Sequence, residues 1–279
     1  MNENNEGVEK VFLDVPEDQY HAEGRSGRWL QSHALALFAK SPAAYDRWRR
    51  GTAGAKDEPK EAFAFGRAAH CYLLEGAAEF ARRYATDAGR PMNPKTNKPF
   101  GSATKEYAAW AEGVGKEIVS AGDMETILRM AAAVGAHPVA AGLLRGGRAE
   151  ATVRAWYAGM NCQIRMDYWT AANGIADLKT CRDLDRFEWD ALGYGYIHQL
   201  AFYRAVLRVA AGSEAAVRIV AVEKAEPFRC GVWRVPAWAL DRAERENEER
   251  MRRMLDCIAA DVWPEPREWD AERTLDFRD

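Results

Sequence analysis

The stretch from Glu150 to Thr180 constrains the fold most, because its side chains follow a period of two. Val, Ile, Tyr and Trp, which favour strands, are frequent in it, and residues 171–174 (AANG) interrupt it as a turn. The pattern predicts three consecutive antiparallel strands at about 149–157, 161–169 and 174–180.

Helical patterns flank this segment on both sides. Residues 1–31 are expected to be extended or irregular, and residues 85–101 to form a long surface loop. Helices are predicted at about 32–39, 42–50, 61–75, 103–120, 123–136, 138–145, 183–192, 196–211 and 237–260, with further strands at 216–223 and 229–235. We therefore predict an α+β fold, with a central mixed sheet flanked by helices and a helical N-terminal half.

The length of 279 residues fits a single domain over 1–279. Its parts would be a mainly helical region (1–148), the sheet core (149–236) and a C-terminal helix with a tail (237–279). No apolar run reaches the roughly 20 residues of a membrane span, and the N-terminus lacks a signal-peptide core, so we expect an intracellular protein without a membrane partner.

Charge and cysteine content narrow the function further. A net charge of −3 argues against a coating or packaging protein for nucleic acid, but it allows an enzyme with a local basic channel. The five cysteines include no C-x-x-C pair, which disfavours a zinc or iron–sulfur site and a disulfide framework.

The strand IADLKTC carries two charges inside an apolar run. Asp177 and Lys179 share one face of it, while Ala176 and Leu178 share the other. If the turn is formed by residues 171–173, Asp167 of the preceding strand lies directly opposite Asp177, where two carboxylates would repel each other. Either the Asp and Lys form a simple ion pair, or both carboxylates and the Leu178 carbonyl bind a divalent cation such as Mg²⁺.

The lysine favours the second interpretation. A metal held by two carboxylates can activate water and polarise a phosphoryl oxygen, and a nearby ammonium can orient that water and stabilise the charge that develops. Asp167, Asp177 and Lys179 together therefore match the requirements for hydrolysing a phosphodiester.

Two helical motifs accompany these residues: G-x-x-x-H from Gly66 to His70, and Q-x-x-x-Y from Gln199 to Tyr203. Together with Asp167, a nine-residue gap and residues 177–179 (DLK), they resemble the RecB-like branch of the PD-(D/E)xK nuclease superfamily. Residues 20–22 (YHA), 41–45 (SPAAY) and 66–76 (GRAAHCYLLEG), with Glu150 leading the first strand, further resemble the RecE-type phage exonucleases, the exodeoxyribonuclease VIII catalytic domain. The resemblance covers about residues 12–240, and Asp177 stands where the superfamily more often has Glu.

The flanking motifs also have physical interpretations. Gly66 would let its helix approach the sheet closely, and His70, four residues later on the same helix face, would add an imidazole ligand that favours Mn²⁺. The resemblance places Gln199 and Tyr203 near DNA phosphate or the lysine, and Glu150 would touch the site through water. Alternatively, His70 is a packed or surface histidine, Gln199 and Tyr203 form a polar helix face, and Glu150 is a plain acid at the end of a strand.

Four further residues are candidates for DNA contacts. Arg25, Arg28 and Ser32 precede or begin a helix whose N-terminus favours phosphate, and the resemblance implies that the DNA 5′ end is held there. Arg165 would contact the scissile phosphate or neutralise Asp167. The alternative for Arg25 and Arg28 is that they are simply solvated surface arginines.

The resemblance implies a metal-dependent exodeoxyribonuclease that degrades linear double-stranded DNA from 5′ ends and exposes 3′ single strands for recombination by strand annealing. It also implies one or two Mg²⁺ or Mn²⁺ ions, a ring-shaped homo-oligomer, a RecT-type annealing partner and a phage or prophage origin, with action in the bacterial cytoplasm. Another nuclease of the superfamily (an endonuclease, a RecB-like or a CRISPR-adaptation domain) and a catalytically inactive DNA-binding module remain alternatives.

Overall fold

The computed structural model describes residues 11–52, 60–265 and 272. Its helices are α1 (Glu17–Arg25), α2 (Ser32–Lys40), α3 (Pro42–Arg49), α4 (Lys60–His70), α5 (Ala77–Arg83), α6 (Lys105–Val114), α7 (Ala121–Ala136), α8 (Pro138–Leu143), α9 (Phe187–Gly193), α10 (Tyr196–Ala211) and α11 (Ala237–Ala260). Its strands are β1 (Tyr84–Thr86), β2 (Met92–Asn93), β3 (Lys98–Pro99), β4 (Glu117–Val119), β5 (Arg148–Tyr157), β6 (Met160–Thr170), β7 (Gly174–Cys181), β8 (Val217–Glu223) and β9 (Cys230–Arg234). Within these residues, no helix is both long and apolar enough to cross a bilayer.

The main sheet has five strands in the order β5-β6-β7-β8-β9. Strand β6 is antiparallel to both β5 and β7, β7 and β8 are parallel, and β9 is antiparallel to β8. The predicted α+β fold with a central mixed sheet is thus confirmed, and β7 occupies the middle of the sheet.

Each face of the sheet is covered by its own apolar core. On one face, Ile175 of β7 packs with residues of α2, α10 and α11, such as Phe38, Leu200 and Met251. On the other face, Ala176 and Leu178 pack with residues of α4, α7 and α8. The alternation predicted for β7 is therefore present, and Asp177 and Lys179 belong to the α10 side of the strand.

The alternation of faces breaks where β5 and β6 reach the middle of their ladder. Ala149 pairs with Tyr168 and Ala151 with Met166, but the first pair belongs to the core under α7 and the second to the core under α10. Glu150, between the two pairs, has a φ of +50°, a left-handed backbone conformation that non-glycine residues rarely adopt. Met166 and Tyr168, two residues apart in β6, consequently face different cores.

Four local predictions also need correction. Residues 17–25 form α1 rather than an irregular segment, and the helix predicted at 103–120 ends at Val114, where Gly115 has a φ of +63°. The segment predicted as one helix over 61–75 changes after His70 into a single π-helical turn, Cys71–Glu75. The predicted 85–101 loop contains a 3₁₀ turn and the short β2–β3 hairpin.

Candidate active site

The site lies where β6 and β7 separate. Their ladder has only three pairs and ends at Tyr168–Ala176, one step before Asp167 and Asp177 would face each other. The Leu178 amide, which would otherwise lose a strand partner, donates a hydrogen bond of 2.7 Å to Oδ2 of Asp167. The predicted hairpin register is therefore present, and a carboxylate takes the place of a backbone acceptor.

A possible metal-binding cluster forms beside this opening. One ligand atom each of His70, Glu150 and Asp167 lies within 4.8 Å of the others, and Nδ1 of His70 is 3.7 Å from Oδ2 of Asp167. Helix α4 supplies the imidazole from its last residue, and β5 and β6 supply the two carboxylates across their shared ladder. The structure thus groups Glu150 directly with His70 and Asp167, whereas we expected it to act through water.

Asp177 is oriented differently from the expected metal ligand. It is completely buried, its Oδ2 lies 2.6 Å from Nζ of Lys179, and its Oδ1 has no hydrogen-bond partner among the described residues. Asp177 is not a member of the three-residue cluster. The ion pair that we considered as the alternative to a metal site is therefore present, directly beside that cluster.

The carboxyl groups of the site hold protons unusually well. Burial, together with the nearby Asp167, raises the pKa of Asp177 to about 6 although Lys179 opposes the rise. Burial and Asp167 likewise raise the pKa of Glu150 to about 8, and burial raises that of Asp167. A cation among these carboxylates would relieve their repulsion and would replace their protons.

The pKa values of His70 and Lys179 are shifted in opposite directions. Burial and the Lys179 ammonium lower the pKa of His70 to about 4, so the imidazole is neutral at pH 7 and can act as a ligand. Burial opposes the charge of Lys179, but Asp177 and Asp167 outweigh burial and raise its pKa above the ordinary value. Lys179 is therefore a hydrogen-bond donor at neutral pH, and its Nζ lies 4.8 Å from the centre of the Tyr196 ring.

Helix α10 brings the Q-x-x-x-Y pair onto the same side of the sheet as Lys179. Nε2 of Gln199 donates a hydrogen bond of 2.9 Å to the Tyr203 hydroxyl. Tyr203 is buried, and burial with the charges of Asp177 and Asp167 raises its pKa above the ordinary value. Ser32, in the first turn of α2, is close enough to this hydroxyl to oppose the rise of its pKa, so this predicted DNA contact lies beside Tyr203.

A cleft of about 1270 Å³ leads to the cluster. Glu150 and Asp167 of the cluster line it, but Asp177 does not. Other acidic residues in the lining include Glu17, Glu75 and Glu117, and the basic ones include His21, Arg25, Arg67, Arg148 and Arg165. Arg25 thus has the position expected of a DNA contact, whereas Arg28 is outside the cleft lining and lies 3.4 Å from a carboxylate oxygen of Glu23.

Arg165 is held by protein groups as well as facing the cleft. Its Nε donates to Oγ1 of Thr152 at 3.0 Å, and its guanidinium also donates to the Val15 carbonyl and covers the Tyr20 ring. It therefore fastens the N-terminal segment to the sheet, a role for which the sequence carried no sign.

The structure gives Gly66 a different explanation from the predicted one. A Cβ atom there would have no neighbour within 4 Å, so glycine is not required for close packing of α4 on the sheet. Gly66 lines the cleft one turn before His70, where the missing side chain leaves the approach to the imidazole open.

Sequence reasoning missed helix α1, which lines the cleft with Glu17, Asp18 and His21. Pro16 followed by two acidic residues is a helix-start signal, and it could have revealed this element. The left-handed backbone of Glu150 had no signal, because that conformation is typical of Gly and Asn rather than Glu.

Comparison with known proteins agrees with this geometry. Residues 32–271 match the model of a protein family described as "PDDEXK-like domain of unknown function (DUF3799)". A crystal structure from Eubacterium rectale, described as "Putative exonuclease", is similar with a TM-score of 0.65 and 16% sequence identity, covering 95% of this chain and 96% of the other. At that identity the similarity concerns the fold. No curated protein matches the sequence.

Proposed function

The chain belongs to the PDDEXK-like family DUF3799, and from this membership we propose that it is a metal-dependent nuclease that hydrolyses DNA phosphodiester bonds. One observation carries the proposal: the His70–Glu150–Asp167 cluster lies beside Lys179, which is paired with the fully buried Asp177. A metal site, an ammonium and a large cleft together satisfy what phosphodiester hydrolysis needs.

The residues of the cluster fit a divalent cation. Mg²⁺ holds its ligands at about 2.0–2.1 Å in an octahedron, so neighbouring ligands are about 3 Å apart and opposite ones about 4.2 Å. The three ligand atoms, which lie within 4.8 Å of one another, would move inward to bind one ion. Two carboxylates and one neutral imidazole suit Mn²⁺ as well as Mg²⁺. The unpartnered Oδ1 of Asp177 offers a further oxygen, so the predicted use of Asp177 and the Leu178 carbonyl remains part of the proposal.

A bound cation would supply Lewis acidity for the phosphoryl oxygen and an acidified water. Lys179 remains protonated, so it donates hydrogen bonds to the attacking water or to the phosphorane-like transition state rather than removing a proton. Asp177 positions the ammonium at 2.6 Å, and Tyr203 with Gln199 stands next to this pair as a positioning element.

The cleft supplies the substrate path. Arg25 lines it and forms no ion pair with any described residue, whereas Arg67 and Arg148 pair there with Glu117 and Asp14. Arg165 also faces the cleft and is available to a phosphate near Asp167. We assign the incoming DNA end to the α1–α2 side, near Arg25 and Ser32, and leave Arg28 as a peripheral contact.

We propose the exonuclease mode on the RecE-type resemblance of the sequence. The enzyme would degrade linear duplex DNA from 5′ ends and expose 3′ strands, with one or two Mg²⁺ or Mn²⁺ ions per site. It would act as a ring-shaped homo-oligomer beside a RecT-type annealing protein in the cytoplasm of a bacterial host, encoded by a phage or prophage.

The decisive experiment uses linear duplex DNA labelled at either 5′ or 3′ ends, and closed circular duplex, with Mg²⁺ or Mn²⁺. We expect release of nucleotides from 5′ ends of the linear DNA only, and loss of cleavage in Asp177→Ala and Lys179→Ala. Lys224→Ala, which removes an exposed lysine, is the matched control. Cleavage of circles would indicate an endonuclease, and cleavage that survives in both site variants would disprove the assignment of the site.

A further inference from the structure

A group of exposed aromatic and basic side chains follows the catalytic strand directly. After β7 the chain passes Arg182 and a 3₁₀ turn, enters α9 and reaches α10 through the Gly193–Gly195 turn. We call five exposed residues of this segment the aromatic shelf: Arg182, Arg186, Trp189, Leu192 and Tyr194. Trp189 is 78% exposed and Tyr194 is 72% exposed, values that are unusual for such large rings.

The shelf is continuous with the proposed catalytic lysine. The Tyr196 ring centre lies 4.8 Å from Nζ of Lys179, and the Tyr194 ring is 5.7 Å further on, tilted by 36° to Tyr196. Successive bases of a stacked strand rise by about 3.4 Å, so Tyr194 lies within about three nucleotides of the ammonium. An exposed ring at that position is within reach of the strand whose phosphate is being cleaved.

The cations of the shelf favour nucleic acid over a protein partner. Arg229, on the same side of the fold, is neutralised by Asp183, Asp185 and Glu223. Arg182 and Arg186 form no ion pair with any residue that the structure describes. Exposed guanidinium groups in the same short segment as exposed rings are a combination that suits a single strand, which such groups bind by phosphate contacts and base stacking.

From this juxtaposition we infer that the aromatic shelf binds unpaired nucleotides of the substrate strand, with a base stacked on Tyr194 and phosphates held by Arg182 and Arg186. The inference rests on the proposed nuclease function and adds a requirement to it. In a duplex every base face except the outer face of the terminal pair is covered by a neighbouring base, so any other nucleotide must unpair before it can offer a face to the ring. The enzyme would therefore bind a frayed or single-stranded terminus more tightly than a fully paired one.

Binding is tested with the full chain and fluorescently labelled oligothymidylate, in EDTA so that no hydrolysis occurs. Tyr194→Ala should weaken binding by about 5- to 150-fold, the range for one stacked base, and Tyr194→Phe should stay within about twofold of wild type. Trp156→Ala is the matched control, because this ring is 65% exposed but lies six residues, or about 20 Å, along β5 from Glu150. A fully paired hairpin should show a much smaller effect of Tyr194→Ala.

The phosphate contacts have a separate signature. Arg186→Ala should weaken the binding of oligothymidylate and oligoadenylate alike, and should reduce the slope of log K against log salt by about 0.7. Arg253→Ala, an exposed arginine of α11, should leave the slope unchanged.

Cleavage of single strands in Mn²⁺ separates the two hypotheses. Tyr194→Ala should raise KM by the factor seen in binding and leave kcat nearly unchanged. A wild-type protein that cleaves DNA, with a Tyr194→Ala variant that binds the strand equally well, would overturn the shelf alone. A wild-type protein that never cleaves but needs Tyr194 for binding would overturn the nuclease function and support the shelf. If Tyr194→Ala changes the mass in solution and leaves binding intact, the shelf is a protein interface and the inference fails.

Discussion

Replacement of Lys179 by Met should destabilise the protein in a manner that depends on pH. Among the residues that the structure describes, Lys179 is the one cation paired with the fully buried Asp177; the change removes it and keeps a side chain of similar length. At the observed 2.6 Å, and with an effective dielectric of about 20, the Coulomb attraction is about 6 kcal/mol. Desolvation offsets part of this attraction, so we expect a loss of about 3–5 kcal/mol in the free energy of unfolding at pH 8.

Acid should reduce this loss. The pKa of Asp177 is about 6 with the lysine present, and it must rise further when the lysine is gone. Below that pKa, Asp177 is protonated in the folded variant. In the unfolded chain its pKa is about 3.9, so it is ionised there at the same pH. The free energy of unfolding of Lys179→Met should therefore increase as the pH falls from 8 towards 5, and the penalty should drop to less than half.

Urea unfolding followed by the fluorescence of the ten tryptophans measures both values, in EDTA at pH 5 and pH 8. The Asp177→Asn/Lys179→Met double variant should regain stability relative to Lys179→Met at pH 8, because it contains neither buried charge of the pair. Lys224→Met should change stability by less than about 0.5 kcal/mol at either pH. Equal penalties at the two pH values, or a double variant no more stable than Lys179→Met, would refute the reasoning.

Three further predictions concern the same region. In EDTA the free energy of unfolding of the wild type, measured by urea titration, should fall as the pH rises from 5 to 8. The reason is that the folded-state pKa values of Asp177 (about 6) and Glu150 (about 8) exceed their ordinary values. Addition of Mg²⁺ or Mn²⁺ should make this pH dependence weaker. Glu150→Gly should stabilise the metal-free protein by about 1 kcal/mol, because glycine adopts a φ of +50° without strain. The metal concentration for half-maximal cleavage should rise about tenfold or more, because one proposed ligand is lost. A variant less stable than the wild type would contradict this account. Tyr203→Phe removes the 2.9 Å hydrogen bond from Gln199 and should cost about 1 kcal/mol in thermal unfolding, with little additional cost from Gln199→Ala in the same chain.

The sequence was sufficient to predict the elements that local rules govern. The period-two pattern and the turn at residues 171–173 predicted the β6–β7 register, which places Asp167 beside the position of Asp177. Helix α10 follows from its apolar pattern, and the i, i+4 spacing of Gln199 and Tyr203 predicts their contact. These features depend on backbone geometry that repeats along a strand or a helix.

The remaining details of the site depend on interactions between distant segments. Strand β6 pairs with β7 only from Tyr168 onward, and the shift of faces at Glu150 follows from packing against two different helical layers. The π-helical turn after His70 and the attachment of residues near Val15 through Arg165 likewise involve partners far away in sequence. Local propensity contains no information about such partners, so the position of Glu150 directly beside His70 and Asp167 was not predicted.

The hydrogen bond between the Leu178 amide and Asp167 also provides a spectroscopic probe of the site. The same Oδ2 atom accepts this amide and lies 3.7 Å from His70, so one atom belongs both to the backbone network and to the cluster. A cation that binds Oδ2 of Asp167 withdraws electron density from it and must therefore change the NMR shielding of the Leu178 amide. In a protein labelled with ¹⁵N-leucine, the Leu178 resonance should therefore report occupancy of the cluster directly, without a substrate and without turnover.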